Sequence, residues 1–259
     1  MANPVADQTY RDVMTVDPPP VTTPFGEATR DFVFGEVWRR PGLSRRDRRL
    51  VTLTCVAAAD VPQPIEDHVY AALSSGDLEL DAILEFVLQF AVYCGWPKAS
   101  HAEQHIRRQW ARIQQERGEE IAPWPLLDNE TLGPNDWEQR VARGAQEFED
   151  VNLMPAPKPD SPYSHAGILN YVFGHVWQRP GLSRRDRRII TVTSVALDDA
   201  PTPLWSHVTS ALHSGDITKE ELDELVLHFS VYYGVAKAEA LSATAEDAWA
   251  KRPQNADAT

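Results

Sequence analysis

Cysteine is scarce in this chain, with only Cys55 and Cys94 among 259 residues. Two thiols cannot build a disulfide framework, so a reducing cytoplasm is the expected setting. Long apolar runs are also missing. No stretch approaches the ~20 residues that a membrane-crossing helix requires, so no membrane partner is expected. The opening "MANPVADQTYRDVMTVDPPP" lacks the basic and then apolar pattern of a secretory signal. Positive charge is in deficit, with 25 Lys and Arg against 38 Asp and Glu and a formal net charge of −13. Nucleic-acid binding needs a basic face, so no nucleic-acid partner is expected. Neither a phosphate-cradling glycine loop nor a G-x-S-x-G nucleophile elbow occurs.

The few basic residues are concentrated. "RPGLSRRDRR" fills Arg40–Arg49 and returns unchanged at Arg179–Arg188, so two decapeptides hold 10 of the 25. They belong to a longer repeat. Sliding the chain by 139 residues aligns Phe34–Lys98 with Phe173–Lys237 without a gap, and 36 of those 65 positions are identical. Such a period is too long for a solenoid unit and marks a duplicated domain. The expected organisation is a first domain over 1–117, a connector over 118–136 rich in proline and acid, and a second domain over 137–259.

Each copy reads as helices. Pro41 and Gly42 break the chain, Ser44 is a candidate cap, and Ser44-x-x-Asp47 is a capping-box variant. "LVTLTCVAAA" is long enough for a buried helix, although its β-branched residues also suit a strand. A helix around "IEDHVYAALSSG" should end at Gly76, with Asp77 capping the next. That next helix places Ile83, Phe86, Val87, Phe90, Ala91 and Cys94 on one apolar face. "KASHAEQHIRRQWARIQQER" continues as a more polar helix, and "WEQRVARGAQEFEDV" starts the second copy. No alternating strand pattern bounded by hairpin turns is present. The fold class expected is all-α, a tandem duplication forming a pseudo-dimer within one chain.

"FGEVWRRPGLSRRDRRLVTL", the histidine of "EDHVYAALSSG" and "LEFVLQFAVYCGWPKA" together resemble the carboxymuconolactone decarboxylase family. The second copy resembles it too, through "FGHVWQRPGL", His207 in "WSHVTSALHSG" and "TKEELDELVLHFSVYYG". The resemblance implies an all-α fold assembled as dimers within a hexamer, hence a homo-oligomer in which three two-domain chains supply six units. It also implies loss of CO₂ from a carboxylated lactone, a small-molecule carboxylate, without metal or organic cofactor. A thiol-peroxidase branch of the superfamily carries Cys-x-x-Cys before the equivalent histidine. Here those positions are Val61 and Pro64, and Ala200 and Pro203, so that chemistry is not expected. The family's "NNG" after the histidine is "SSG" and "HSG" here. The substrate therefore stays open among carboxylated lactones and cyclic keto or vinylogous acids. Two alternatives stand beside the lyase: an isomerase- or cyclase-type proton-transfer enzyme, and a non-catalytic scaffold.

Within this frame the repeated polar residues are the candidates. His68 and His207 are the only histidines related by the 139-residue shift. Imidazole titrates near neutral pH and suits a general acid. Arg45, Arg48 and Arg49 lie at i, i+3 and i+4 on one helix face, where an anion would be welcome. Arg40, Arg45 and Arg48, with Arg179, Arg184 and Arg187, are the candidate carboxylate clamps, or else simply ion-paired interface residues. Glu85 and Glu224, in otherwise apolar helices, are candidate proton shuttles or salt-bridge partners of those arginines. Trp38, Trp177, Tyr93 and Tyr232 are candidates to flank a planar substrate, although core packing would also account for them. "HAEQH" sets His101 and His105 at i, i+4, a zinc-compatible spacing. The counterparts Ala240 and Thr244 and the lack of a third ligand argue against a metal.

Overall fold

A computed structural model describes residues 3–121, 123, 124, 126, 127, 132, 136–198 and 200–252. Much of the connector expected over 118–136 falls outside the described residues. All regular structure among the described residues is helical. The first copy contains α1 (Pro4–Met14), α2 (Pro24–Ala28), a π-helical segment (Thr29–Phe34), a 3₁₀ turn (Val37–Arg39), α3 (Arg45–Ala59), α4 (Pro62–Ser75), α5 (Leu80–Cys94) and α6 (Trp96–Arg117). The second repeats the plan with α7 (Trp137–Asn152), a π-helical segment (Tyr163–Phe173), a 3₁₀ turn (Val176–Gln178), α8 (Arg184–Leu197), α9 (Pro201–His213), α10 (Lys219–Tyr233) and α11 (Val235–Ala250).

Local chemistry sets the boundaries. Ser44 Oγ accepts from the Asp47 N–H at 3.1 Å to start α3. The copy at Ser183 closes a full capping box with Asp186 and starts α8. Pro62 and Pro201 open α4 and α9, where a missing N–H costs nothing. Gly76 (φ 73°) and Gly215 (φ 76°) take the left-handed conformation that ends a helix. The start of α5 departs from expectation. Its N-cap is Glu79, without a side-chain cap, because the Asp77 carboxylate is committed to two arginines instead.

The β-branched run after each arginine block is helical. Both α3 and α8 are buried almost all round, with their apolar residues facing the core on several sides and their buried arginines and aspartates gathered in the first turns. Thr54 and Thr193 return their hydroxyls to the carbonyls of Leu50 and Ile189, each at 2.7 Å, so these two buried hydroxyls are satisfied within their own helices.

These two helices are the centre of the molecule. α3 packs on α8 across the copies, α10 packs on α3, and α5 packs on α8. The halves thereby share one core, from Leu50, Leu53, Phe86 and Phe90 to Ile189, Val192, Leu225 and Phe229. Reciprocal ion pairs lock the seam. Arg46 forks onto Asp186 with both bonds at 3.1 Å, and Arg185 reaches Asp47 at 3.0 Å. The chain is a tandem all-α duplication in which each half covers the other.

Candidate active site

Two polar clusters lie inside this shared core, related by the duplication, and each takes residues from both halves. In the first, α4 supplies His68, the turn before α3 supplies Trp38 and Arg40, and α3 supplies Arg48 and Arg49. The opposite half supplies Glu224, His228 and Tyr232 from α10. In the second, His207, Trp177, Arg179, Arg187 and Arg188 meet Glu85, Gln89 and Tyr93 from α5.

The aromatic residues form a box around each histidine. The Trp38 indole N–H donates to the Tyr232 hydroxyl at 2.9 Å, and the Tyr232 ring meets His68 edge-on at 5.3 Å between centroids. Trp177 donates to Tyr93 at 2.9 Å, and Tyr93 meets His207 at 5.4 Å. Arg49 lies over the Trp38 ring at 5.2 Å, and Arg188 over Trp177 at 5.6 Å. Burial pushes the Tyr93 and Tyr232 hydroxyls up to about 12, so both stay protonated at neutral pH.

The histidines are neutral. Burial, reinforced by the Arg49 charge, lowers His68 to about 3; burial and Arg188 lower His207 to about 3. Arg49 Nη1 stands 3.5 Å from His68 Nδ1. A guanidinium only donates, so Nδ1 is the acceptor and the ring proton sits on Nε2. In the second site Arg188 Nη1 donates instead to Ser210 Oγ at 3.0 Å, and His207 Nδ1 is left without a partner. The difference follows from sequence, since the position equivalent to Ser210 is Ala71.

Each glutamate holds two arginines of the opposite copy. Glu224 takes Arg40 at 2.6 Å and Arg48 at 2.9 Å; Glu85 takes Arg179 at 2.7 Å and Arg187 at 3.5 Å. The hydrogen bond from Arg40, aided by Arg48, keeps the Glu224 carboxyl below its usual range, against the opposing effect of burial. The Pro-Gly turn of the repeated decapeptide makes room for this pair. A Cβ on Gly42 would sit 2.8 Å from Glu224 Cγ, and one on Gly181 (φ 91°) would sit 2.8 Å from Glu85 Cγ. Beside Glu85 and Arg179 opens a cavity of about 480 Å³ between α5 and α6, partly covered by Trp124 and Leu127 of the connector.

The structure brings most of the candidate residues together, but not Arg45 and Arg184. Arg45 is turned outward onto Asp77 at 2.6 Å, and Arg184 onto Glu147 at 3.0 Å. The anion between Arg45 and Arg49 is the protein's own Asp77. Facing the histidines are Arg49, which the sequence set on the anion-binding face but not among the clamps, and its counterpart Arg188. Their signal was present: each directly precedes the apolar run, where the helix has already entered the core.

The two sites also differ at the position of Gln89 and His228. Gln89 bridges Arg187, accepting at 3.0 Å, and Thr191, donating at 2.9 Å. Its counterpart His228 pairs with Thr52 at 2.8 Å and makes no such bridge. Arg48 Nε and Nη1 and His228 Nδ1 are left buried without hydrogen-bond partners. Burial, with the Arg48 charge, holds His228 well below its ordinary value.

The model of the carboxymuconolactone decarboxylase family matches the chain twice, at residues 23–107 and 162–247. Two curated relatives each align over about one copy. Nitrosuccinic acid decarboxylase npaB of Metarhizium robertsii is 39% identical over 83 residues, covering 32% of this chain and 57% of that protein. The 4-carboxymuconolactone decarboxylase of Acinetobacter baylyi is 35% identical over 80 residues, covering 31% of this chain and 59% of that protein. The chain thus spans a little over half the length of each. With both helical units matched and each carrying the repeated histidine and arginines, this chain belongs to the carboxymuconolactone decarboxylase family, as two fused copies of its domain.

Proposed function

We propose that this chain is a carbon–carbon lyase that removes CO₂ from a small carboxylic acid, using its own side chains and no organic cofactor. The substrate class is an acid whose carboxyl-bearing carbon is conjugated to a lactone or ketone carbonyl, or to another electron-accepting group. Both relatives are named as decarboxylases, and both names specify acid substrates. The observation that carries the reading is the buried, unpartnered pair of donors on Arg48, which shares with His68 the surroundings of His228. Buried guanidinium donors without acceptors are costly, and a carboxylate satisfies them.

In this reading Arg48 holds the carboxylate, with Glu224 fixing the guanidinium as a positioning residue. The neutral His68 directs its Nε2–H to the acceptor carbonyl. An arriving carboxylate offsets the Arg49 charge and draws its N–H away from Nδ1, so the imidazole takes up one proton from solvent at Nδ1 as the substrate binds. The C–C bond then breaks and its electron pair moves into the conjugated carbonyl as an enolate, stabilised by the imidazolium. CO₂ departs, the imidazolium gives its proton to carbon, and the ring is neutral again. His207 and Arg187 would do the same in the second site, with Gln89 already occupying one Arg187 donor. Trp38 and Tyr232, and Trp177 and Tyr93, would flank the planar ring of the acid.

The test is CO₂ release from a panel of carboxylated lactones and cyclic β-keto acids, with His68→Gln, His207→Gln and the double variant alongside. The expected result is release by the parent chain that is lost in the double variant while the helical signal is unchanged. Absence of release from every acid would overturn the lyase reading.

We further infer that three chains assemble into a ring of six units. Trp96 and Val235, the equivalent first residues of α6 and α11, are 54% and 74% exposed, leaving apolar surface to cover. Light scattering at the mass of a trimer is the expected result.

A further inference from the structure

The "HAEQH" motif takes no part in either boxed site, yet the structure builds a polar chain around it. His101 Nδ1 faces Asp60 Oδ1 at 2.5 Å, and His105 Nδ1 faces Glu66 Oε1 at 2.8 Å. The two Nε2 atoms face each other at 2.9 Å. A carboxylate only accepts, so each Nδ1 carries the ring proton. Two neutral rings in that tautomer would press lone pair against lone pair. Something positive belongs between the two Nε2 atoms, either one shared proton or a cation.

We propose that His101 and His105 chelate a divalent transition ion of the zinc, nickel or copper type, with water completing its coordination. Three features favour this occupant. The i, i+4 spacing sets both rings on one face of α6, and Zn–N bonds of ~2.0–2.1 Å in a tetrahedral site need the nitrogens only ~3.3 Å apart, a small opening from the present contact. Each ligand ring donates its other N–H to a carboxylate, the arrangement that orients a metal-binding imidazole and strengthens it as a donor. Asp60 and Glu66 also bring two negative charges, with the Arg108 guanidinium 3.7 Å from Glu66. Imidazole donors select zinc, nickel or copper over magnesium or calcium. Only two protein nitrogens converge, and among the described residues no group of three or more His, Cys, Asp or Glu could hold an ion. Access is from the His101 side, where that ring is 34% exposed while His105 is 2% exposed.

The ion would join three helices. Asp60 is the C-cap of α3, Glu66 lies in the first turns of α4 two residues before His68, and both histidines are on α6. The second copy has Ala240, Thr244 and Trp205 at the corresponding positions of His101, His105 and Glu66, so the device belongs to one half alone.

The experiment is titration of the full chain with Zn²⁺ alone, read by competition with a chromogenic chelator and by the thermal unfolding midpoint. One ion per chain is expected, with a raised midpoint. His101→Ala, at the exposed ring, should abolish both effects without unfolding the protein. Glu66→Gln should weaken binding by ~10-fold or more through the orienting carboxylate. Zn²⁺ binding equal in the parent and His101→Ala, or no binding by the parent, overturns the proposal and leaves a shared proton between the rings.

Discussion

Trp38 and Tyr232 stand 194 residues apart in sequence, yet the indole of one donates to the hydroxyl of the other at 2.9 Å. Trp177 and Tyr93 repeat the bond at the same length. In each pair the donor comes from one copy and the acceptor from the other, so neither copy can close its histidine box alone. Each site therefore needs both copies, because each half completes the site of its neighbour.

Removing either hydroxyl exposes this dependence. Tyr232→Phe leaves the largely buried Trp38 N–H without an acceptor and is expected to cost about 1–3 kcal/mol, as is Tyr93→Phe for Trp177. Urea denaturation of the two single variants and the double variant checks this. The double cost should be close to the sum, because the boxes are separate.

Acid should loosen the fold through the boxed histidines. Their folded values, about 3 for His68 and His207, lie below the unfolded value of ~6.5. The unfolded chain therefore binds protons that the native chain refuses. The stabilisation is complete above pH ~6.5 and is lost as pH falls from there towards 3, with a slope of ~1.4 kcal/mol per pH unit for each ring. His228, also held low, acts in the same direction. Denaturation midpoints measured from pH 7 to pH 4 should fall steeply in the parent and less steeply in His207→Gln.

Position 228 should trade stability against binding. A glutamine there can accept from Arg48 and donate to Thr52, as Gln89 does between Arg187 and Thr191. His228→Gln is expected to stabilise the fold by about 1 kcal/mol, since it gives a buried donor a partner. In a His207→Gln background it should also raise KM for the acid with a smaller change in kcat, because one clamp donor is then occupied. Steady-state kinetics and denaturation of the same variant read both effects.

Much of this molecule was legible in its sequence. The 139-residue repeat, the helix starts at Ser44 and Ser183, and the helix ends at Gly76 and Gly215 are local signals written in cap and turn residues. The "LVTLTCVAAA" run stayed ambiguous because apolar β-branched segments suit a buried strand as well as a helix, and only packing on all sides decides between them. The arginines were harder to read. Their spacing placed Arg45, Arg48 and Arg49 on one face, but which of them meets the histidine depends on Asp77 and Glu224, which are distant in sequence. Periodicity could not show that Asp77 was already committed to Arg45 and Arg49, or that Glu224 crosses from the other copy to hold Arg40 and Arg48.

The composite nature of the sites is tested most directly by crossing variants in a chain with one histidine removed. In His207→Gln, turnover depends on the site around His68. Tyr232→Phe, in the other copy, should then lower kcat/KM at least ~10-fold more than Tyr93→Phe, in the same copy as His68, because only Tyr232 closes the working box. The reverse order, with Tyr93→Phe the more damaging, would contradict a site shared between the halves.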